Sequence, residues 1–233
     1  NLETGQIVGA EALVRWIRED GSMIYPDDFI PIFEKNGFIV ELDFFILSEV
    51  CRMIQRRLQE KRHCVPISIN QSRVLLQEKD YVKRVADILK KYDTPPRYIE
   101  LELTERIFRD DLTDLAKMMG ELRNLGIRWS IDDFGTGYSN YGYMRDKIFD
   151  IVKVDRSFIT DIDKQRNNYL MVSFIIKMAH EMGLHVCIEG VETKEELACV
   201  RELGADYIQG YYYGKPVCVA DFEEQHLKKL ILG

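Results

Sequence analysis

Ile127-Arg128-Trp129-Ser130-Ile131-Asp132-Asp133-Phe134-Gly135-Thr136-Gly137-Tyr138-Ser139-Asn140 opens as an apolar strand and ends in two adjacent carboxylates, with glycines at alternate positions beyond them. Adjacent aspartates repel each other, and a fold that sets them at a strand end commonly supplies a cation between them. The glycines allow positive φ and close approach of the backbone to a ligand or a neighbouring loop. Asp-Asp before Gly is also ordinary turn chemistry. On this stretch alone, metal site and plain turn both stand, and the segments around it have to decide.

Working outward, the same strand-then-helix unit recurs. Downstream, Asp150–Asp155 and Leu184–Glu189 read as strands, with a helix between them carrying Met171, Ile175, Met178 and Met182 on one stripe. Thr193 with Glu196 spells a capping box for a helix through Leu203. Ala205–Gln209 follows as the last strand and Asp221–Leu230 as the closing helix. Upstream, Asp110 can cap a helix running to Asn124, with Leu112, Leu115, Met118, Met119 and Leu122 facing inward. Before it come a strand Tyr98–Glu105, a helix Tyr81–Tyr92, a strand Val65–Ile69 followed by Asn70, a helix Val40–Glu60 and a helix Pro26–Lys35. The chain opens with a strand Ile7–Trp16, on which Glu11, Leu13 and Arg15 share one face. Asn1 to Gly5 reads as the far side of a hairpin turn whose first strand is absent. Seven strands alternating with helices, without an internal linker, predict a parallel sheet covered by helices. No Gly-x-Gly-x-x-Gly turn follows a strand, which disfavours an open nucleotide-binding sheet. The expected fold is therefore α/β, a (β/α)8-type TIM-like barrel lacking its N-terminal first strand, as a single domain over residues 1–233.

Composition bounds the function. The 233 residues suit one large domain, since an α/β barrel takes roughly 250. The net charge of -7, from 32 basic and 39 acidic residues, argues against a groove for a nucleic-acid polymer. An anionic substrate would then need bound cations or a few placed Lys and Arg. The apolar runs are too short to span a bilayer and no signal peptide opens the chain. Cys51, Cys64, Cys187, Cys199 and Cys218 are scattered without a Cys-x-x-Cys pair, as expected of reduced thiols in a cytoplasmic protein.

Strands buried on both faces ought to be plainly apolar. Here almost every strand ends in a polar group: Glu11, Asn70, Glu102, Asp132-Asp133, Lys153, Glu189 and Gln209. Barrel active sites gather such residues at the carboxyl ends of the strands. Carboxylates and an amide oxygen, without Cys or His, suit hard divalent cations such as Mg²⁺, Mn²⁺ or Ca²⁺, and the excess of acids suggests two ions. Such a pair can bind a phosphate oxygen and activate water for in-line displacement at phosphorus. Lys153 can orient that water or offset phosphate charge, and Glu189 can take its proton. Blander readings remain for single residues. Glu11 with Arg15 can be an internal salt bridge, Glu100 a solvated strand-end acid and Lys153 a partner of Asp155. Glu192 can merely favour the helix end that Thr193 caps, and Tyr211-Tyr212-Tyr213 can be packing.

Taken in order, Glu11-Ala12-Leu13, Glu102-Leu103-Thr104-Glu105, Asp132-Asp133-Phe134-Gly135-Thr136-Gly137-Tyr138-Ser139, Glu189-Gly190-Val191-Glu192-Thr193, Gln209-Gly210-Tyr211 and Lys215-Pro216 form a specific set. That set strongly resembles the EAL domain family of bacterial cyclic-di-GMP phosphodiesterases, over essentially the whole chain. The resemblance implies hydrolysis of cyclic di-GMP to linear pGpG with Mg²⁺ or Mn²⁺. It implies Glu11, Asn70, Glu102 and Asp132 as ligands of one ion, Asp132 bridging to a second that Asp133 helps to hold, and Lys153 and Glu189 positioning and deprotonating the water. Glu105 matches the residue that steadies the Asp-Asp-Phe-Gly loop. Glu192 and Gln209 match supporting positions, and Arg15 a position near the substrate phosphate. It further implies a homodimer formed through the region after that loop, and covalently linked sensor or diguanylate cyclase-type domains in a longer protein. Three positions depart from the family pattern: the first strand with its Gln-Pro pair is absent, Lys153-Val154-Asp155 replaces Lys-Ile-Asp, and Asn140-Tyr141 replaces Ser-Leu. The rival expectation is a catalytically silent cyclic-di-GMP receptor or protein-interaction module.

Overall fold

Alternating strand and helix demand a parallel sheet with helical crossovers, and the computed structural model has that architecture. It describes residues 1–74, 78–105, 113–136 and 148–227. The strands are β1 (Ala10–Ala12), β2 (Trp16–Ile17), β3 (Met23–Ile24), β4 (Ile67–Asn70), β5 (Ile99–Thr104), β6 (Arg128–Phe134), β7 (Ile151–Val154), β8 (His185–Ile188) and β9 (Tyr207–Ile208). The helices are α1 (Pro26–Asn36), α2 (Ile39–Gln59), α3 (Tyr81–Lys91), α4 (Thr113–Leu125), α5 (Arg166–Glu181), α6 (Lys194–Glu202) and α7 (Val219–Gln225). One sheet of seven strands runs β1-β4-β5-β6-β7-β8-β9. Glu11 lies beside Ser68, Lys153 beside Cys187 and Ile188 beside Ile208, all in parallel register. The fold is the α/β, TIM-barrel-like one that the alternation predicts.

The described residues belong to two compact units, residues 1–8, 102–120 and 128–218 in one, residues 9–101, 121–127 and 219–233 in the other. The expected strand Ile7–Trp16 is corrected, since it begins only at Ala10. It stops at Ala12, and Trp16–Ile17 pairs antiparallel with Met23–Ile24. The cause is local turn chemistry: Gly21 takes φ 81° and the Asp20 carboxylate accepts the Ser22 amide at 2.8 Å and hydroxyl at 2.6 Å. The Trp16 ring then packs on Phe29 and Phe33, each at 5.7 Å. Glu100 is corrected too. It is 7% exposed rather than solvated, because β5 is covered on both faces from Ile99 to Leu103. In the second unit the buried Arg57 guanidinium donates to the His63 carbonyl at 2.7 Å and pairs with Glu223 of α7 at 3.6 Å.

In the first unit, α5 turns Val172, Ile175, Ile176 and Ala179 inward and leaves Met171 48% exposed. Ile175 faces inward as read, and Val172, Ile176 and Ala179 join it in place of Met171, since compact side chains suit the face that packs on β8. The Thr193 capping box forms as read. Asp110, Leu112, Gly137, Asn140, Tyr141 and the end of the expected closing helix lie outside the described residues. Among the described residues no helix is long and apolar enough to cross a membrane.

Candidate functional site

Strand β7 is buried along its whole length, yet its third residue is Lys153, only 3% exposed. An ammonium that deep needs compensation in charge. Glu102 of β5 supplies it at 2.9 Å, Glu189 just after β8 at 2.7 Å, and Asp132 of β6 at 3.6 Å. Four neighbouring strands thus deliver one lysine and three carboxylates to one place within a single unit. These four expected site residues are brought together. Lys153 pairs here with acids of other strands, while the Asp155 carboxylate accepts the Ser157 amide at 3.0 Å and caps a single helical turn.

A bulge sets the direction of the two aspartates. Ile131 lies beside Val152 but Phe134 beside Val154, so β6 carries one residue more than β7 at Asp132-Asp133. Asp133 takes φ 54°, a left-handed conformation that Asp tolerates. The turn reading holds here, since the Asp133 carbonyl accepts the Thr136 amide at 3.1 Å. Gly135 follows at φ 95°, where an added Cβ would lie 2.9 Å from the Phe158 ring. Its amide donates to Glu105 at 3.0 Å, and Glu105 is 4% exposed. A buried acid at the helix-side end of β5 therefore braces the loop after the aspartates.

After β8 the Glu189–Glu192 segment is packed tightly. Glu192 pairs with Arg156 at 3.0 Å. Gln209 follows β9, its amide donating to Ile188 at 2.8 Å and its carbonyl accepting the Val191 amide at 3.2 Å. In the second unit Asn70 donates its side-chain amide to Glu11 at 2.7 Å, and Arg15 turns to the Val14 carbonyl at 2.7 Å.

The donor chemistry fits a hard divalent cation. Every expected ligand is an oxygen donor, acids outnumber the one ammonium, and Asp132 Oδ1 is buried without a hydrogen bond among the described residues. The carboxylates gather around Lys153 rather than around each other. Among the described residues no three His, Cys, Asp or Glu side chains already converge on a common point.

Two residues escaped the sequence reading. Asp43 sits in the buried stripe of α2 between Val40, Phe44 and Leu47, 5% exposed, and accepts the Ser72 amide at 3.0 Å. Burial pushes its carboxyl up to about 7, with Glu34 nearby adding to the effect. An acid at apolar helical spacing was the available signal. Arg156 gave none, because a lone arginine after a strand is ordinary.

A family model for the EAL domain matches residues 1–216. Cyclic di-GMP phosphodiesterase NbdA of Pseudomonas aeruginosa is 35% identical over 223 residues, which cover 96% of this chain and 28% of NbdA. The probable cyclic di-GMP phosphodiesterase PdeB of Escherichia coli is 37% identical over 232 residues, 97% of this chain and 43% of PdeB. The chain therefore spans less than half the length of these curated relatives. Among solved structures, the PaMucR phosphodiesterase in complex with c-di-GMP aligns with a TM-score of 0.88 and 30% identity, over 94% of this chain and 88% of that one. With motif order, fold and relatives in agreement, the chain belongs to the EAL domain family.

Proposed function

We propose that this domain hydrolyses one phosphodiester bond of cyclic di-GMP to give linear pGpG, with two Mg²⁺ or Mn²⁺ ions. The observation that supports it most is the buried Lys153 ammonium among Glu102, Asp132 and Glu189. That constellation joins a fixed positive charge to a proton acceptor at hydrogen-bond distance, which water attack on a phosphate requires. Glu11, Asn70, Glu102, Asp132 and Asp133 are the residues proposed to hold the ions. When bound, such ions polarise the phosphate and lower the pKa of a coordinated water. Lys153 orients the attacking water and offsets charge that grows on the phosphoryl oxygens. Glu189 accepts the water's proton as the new P–O bond forms and the P–O bond to a ribose 3′-oxygen breaks, that oxygen taking up a proton from solvent to become the free hydroxyl of pGpG. Glu105 keeps the Asp132-Asp133 loop in register through Gly135, and Glu192 and Gln209 hold the segment that carries Glu189. Arg15 is proposed to meet a substrate phosphate.

Incubation of the purified domain with cyclic di-GMP and Mn²⁺, followed by chromatography, tests this reading. Formation of pGpG is expected. Binding of the dinucleotide without product, at saturating metal, would instead make the domain a receptor.

A further inference from the structure

Lys153 and Arg156 stand three residues apart, one on β7 and one on the helical turn Arg156–Phe158 that follows it. Glu189 and Glu192 stand three apart after β8. Lys153 pairs with the first acid at 2.7 Å and Arg156 with the second at 3.0 Å, a matched double contact between two strand ends. Gly190 lies between the acids at φ 72°, and a Cβ there would overlap Cβ and Cγ of Arg156. The arginine stem therefore rests directly on the backbone next to Glu189. From another side, Gly210 lets its backbone close on Val191, whose carbonyl accepts the Tyr212 amide at 3.0 Å. From a third, Glu196 accepts the Glu192 amide at 2.8 Å. Of these three holds, only the Arg156 one is a side chain that can be shortened without disturbing a helix cap or a backbone contact.

We propose that Arg156 is a positioning residue for Glu189, clamping Gly190 with its stem and Glu192 with its guanidinium. This rests on the reading of Glu189 as the proton acceptor. The arginine side chain is 56% exposed, and exposed ion pairs contribute little to folding. Its loss should therefore appear in the placement of Glu189, where a shift of about 1 Å costs up to about a hundredfold in rate.

The test compares the intact domain with Arg156→Ala and Arg156→Lys. It measures kcat and KM for cyclic di-GMP with Mn²⁺, together with amide hydrogen exchange at Val191 and Glu192 in the absence of metal and substrate. Arg156→Ala is expected to lower kcat at least about tenfold with KM within about twofold, and to speed exchange about tenfold. Arg156→Lys, which keeps a stem and a charge, should recover most of both. An unchanged kcat, a loss carried by KM alone, or a lysine variant no better than alanine would overturn the proposal. If the parent domain forms no pGpG, the proposed function fails, and the exchange rates alone then decide whether Arg156 clamps this segment.

Discussion

A lysine held at 3% exposure against Glu102 at 1% exposure is costly to break from either side. Lys153→Met would take the ammonium away from the buried Glu102 carboxylate, at a cost of about 3–5 kcal/mol. Urea unfolding should show that loss, and the double change Lys153→Met with Glu102→Gln should recover much of it without recovering turnover. Glu189 is 18% exposed at its side chain and bears less on folding. Glu189→Gln should bind cyclic di-GMP as before in calorimetry, while kcat falls at least about a hundredfold; surviving turnover would move the base elsewhere. Asp43 behaves in the opposite sense to a usual surface acid. Its folded pKa of about 7 lies above the ordinary 3.8, so its contribution to stability is full below about pH 4 and is lost as pH rises through 7. Asp43→Asn keeps an acceptor for the Ser72 amide and removes the ionisation. It should therefore gain stability over the parent at pH 8 and not at pH 4, by at most about 4 kcal/mol, as read from urea midpoints at the two values. The rim acids were legible because strands buried on both faces should not carry them. Asp43 was passed over, because one acid inside the 21 residues of α2 is easily assigned to the solvated face even though it falls at apolar spacing.

Elements whose signals are local were read well. Thr193 and Glu196 exchange hydrogen bonds at 3.1 and 3.0 Å, and the same Glu196 oxygen takes the Glu192 amide. Thr193→Ala should cost about 1 kcal/mol by thermal or urea unfolding, and Glu196→Ala more, since it frees two amides. Elements whose limits depend on something nonlocal were read less well. The β2-β3 hairpin takes Trp16 from the end of the strand read from Ile7 to Trp16, and the Asp20-Gly21-Ser22 turn is the signal that betrays it. On α5, Met171 and Ile175 satisfy the same period, and packing on β8 decides which of them faces inward. The bulge at Asp132-Asp133 is invisible to a two-residue period, because an extra residue leaves composition unchanged.

For the whole molecule, motif order carried the fold and the family, yet the two units left no trace in composition. Two of the passages between them fall at Leu101/Glu102 inside β5 and at Gly120/Glu121 inside α4, where no Gly- or Pro-rich linker marks the change. The net charge of -7 opposes a dianionic substrate, and metal should be needed to overcome it. EDTA is expected to abolish pGpG formation with Mn²⁺ or Mg²⁺ restoring it, while far-UV dichroism stays constant. Activity that persists in EDTA would refute the proposed metal dependence. The close approach at Gly210 limits what can replace it. A saturation library selected for turnover should return a single codon family at 210, where any larger residue meets rigid peptide atoms of Val191. At 190 it should admit a few slower survivors such as Asn, which tolerates φ 72°, since the Arg156 stem can swing aside at a cost in rate. Two positions with no chemistry of their own would then differ sharply in how far they can drift, and backbone proximity alone would be the reason.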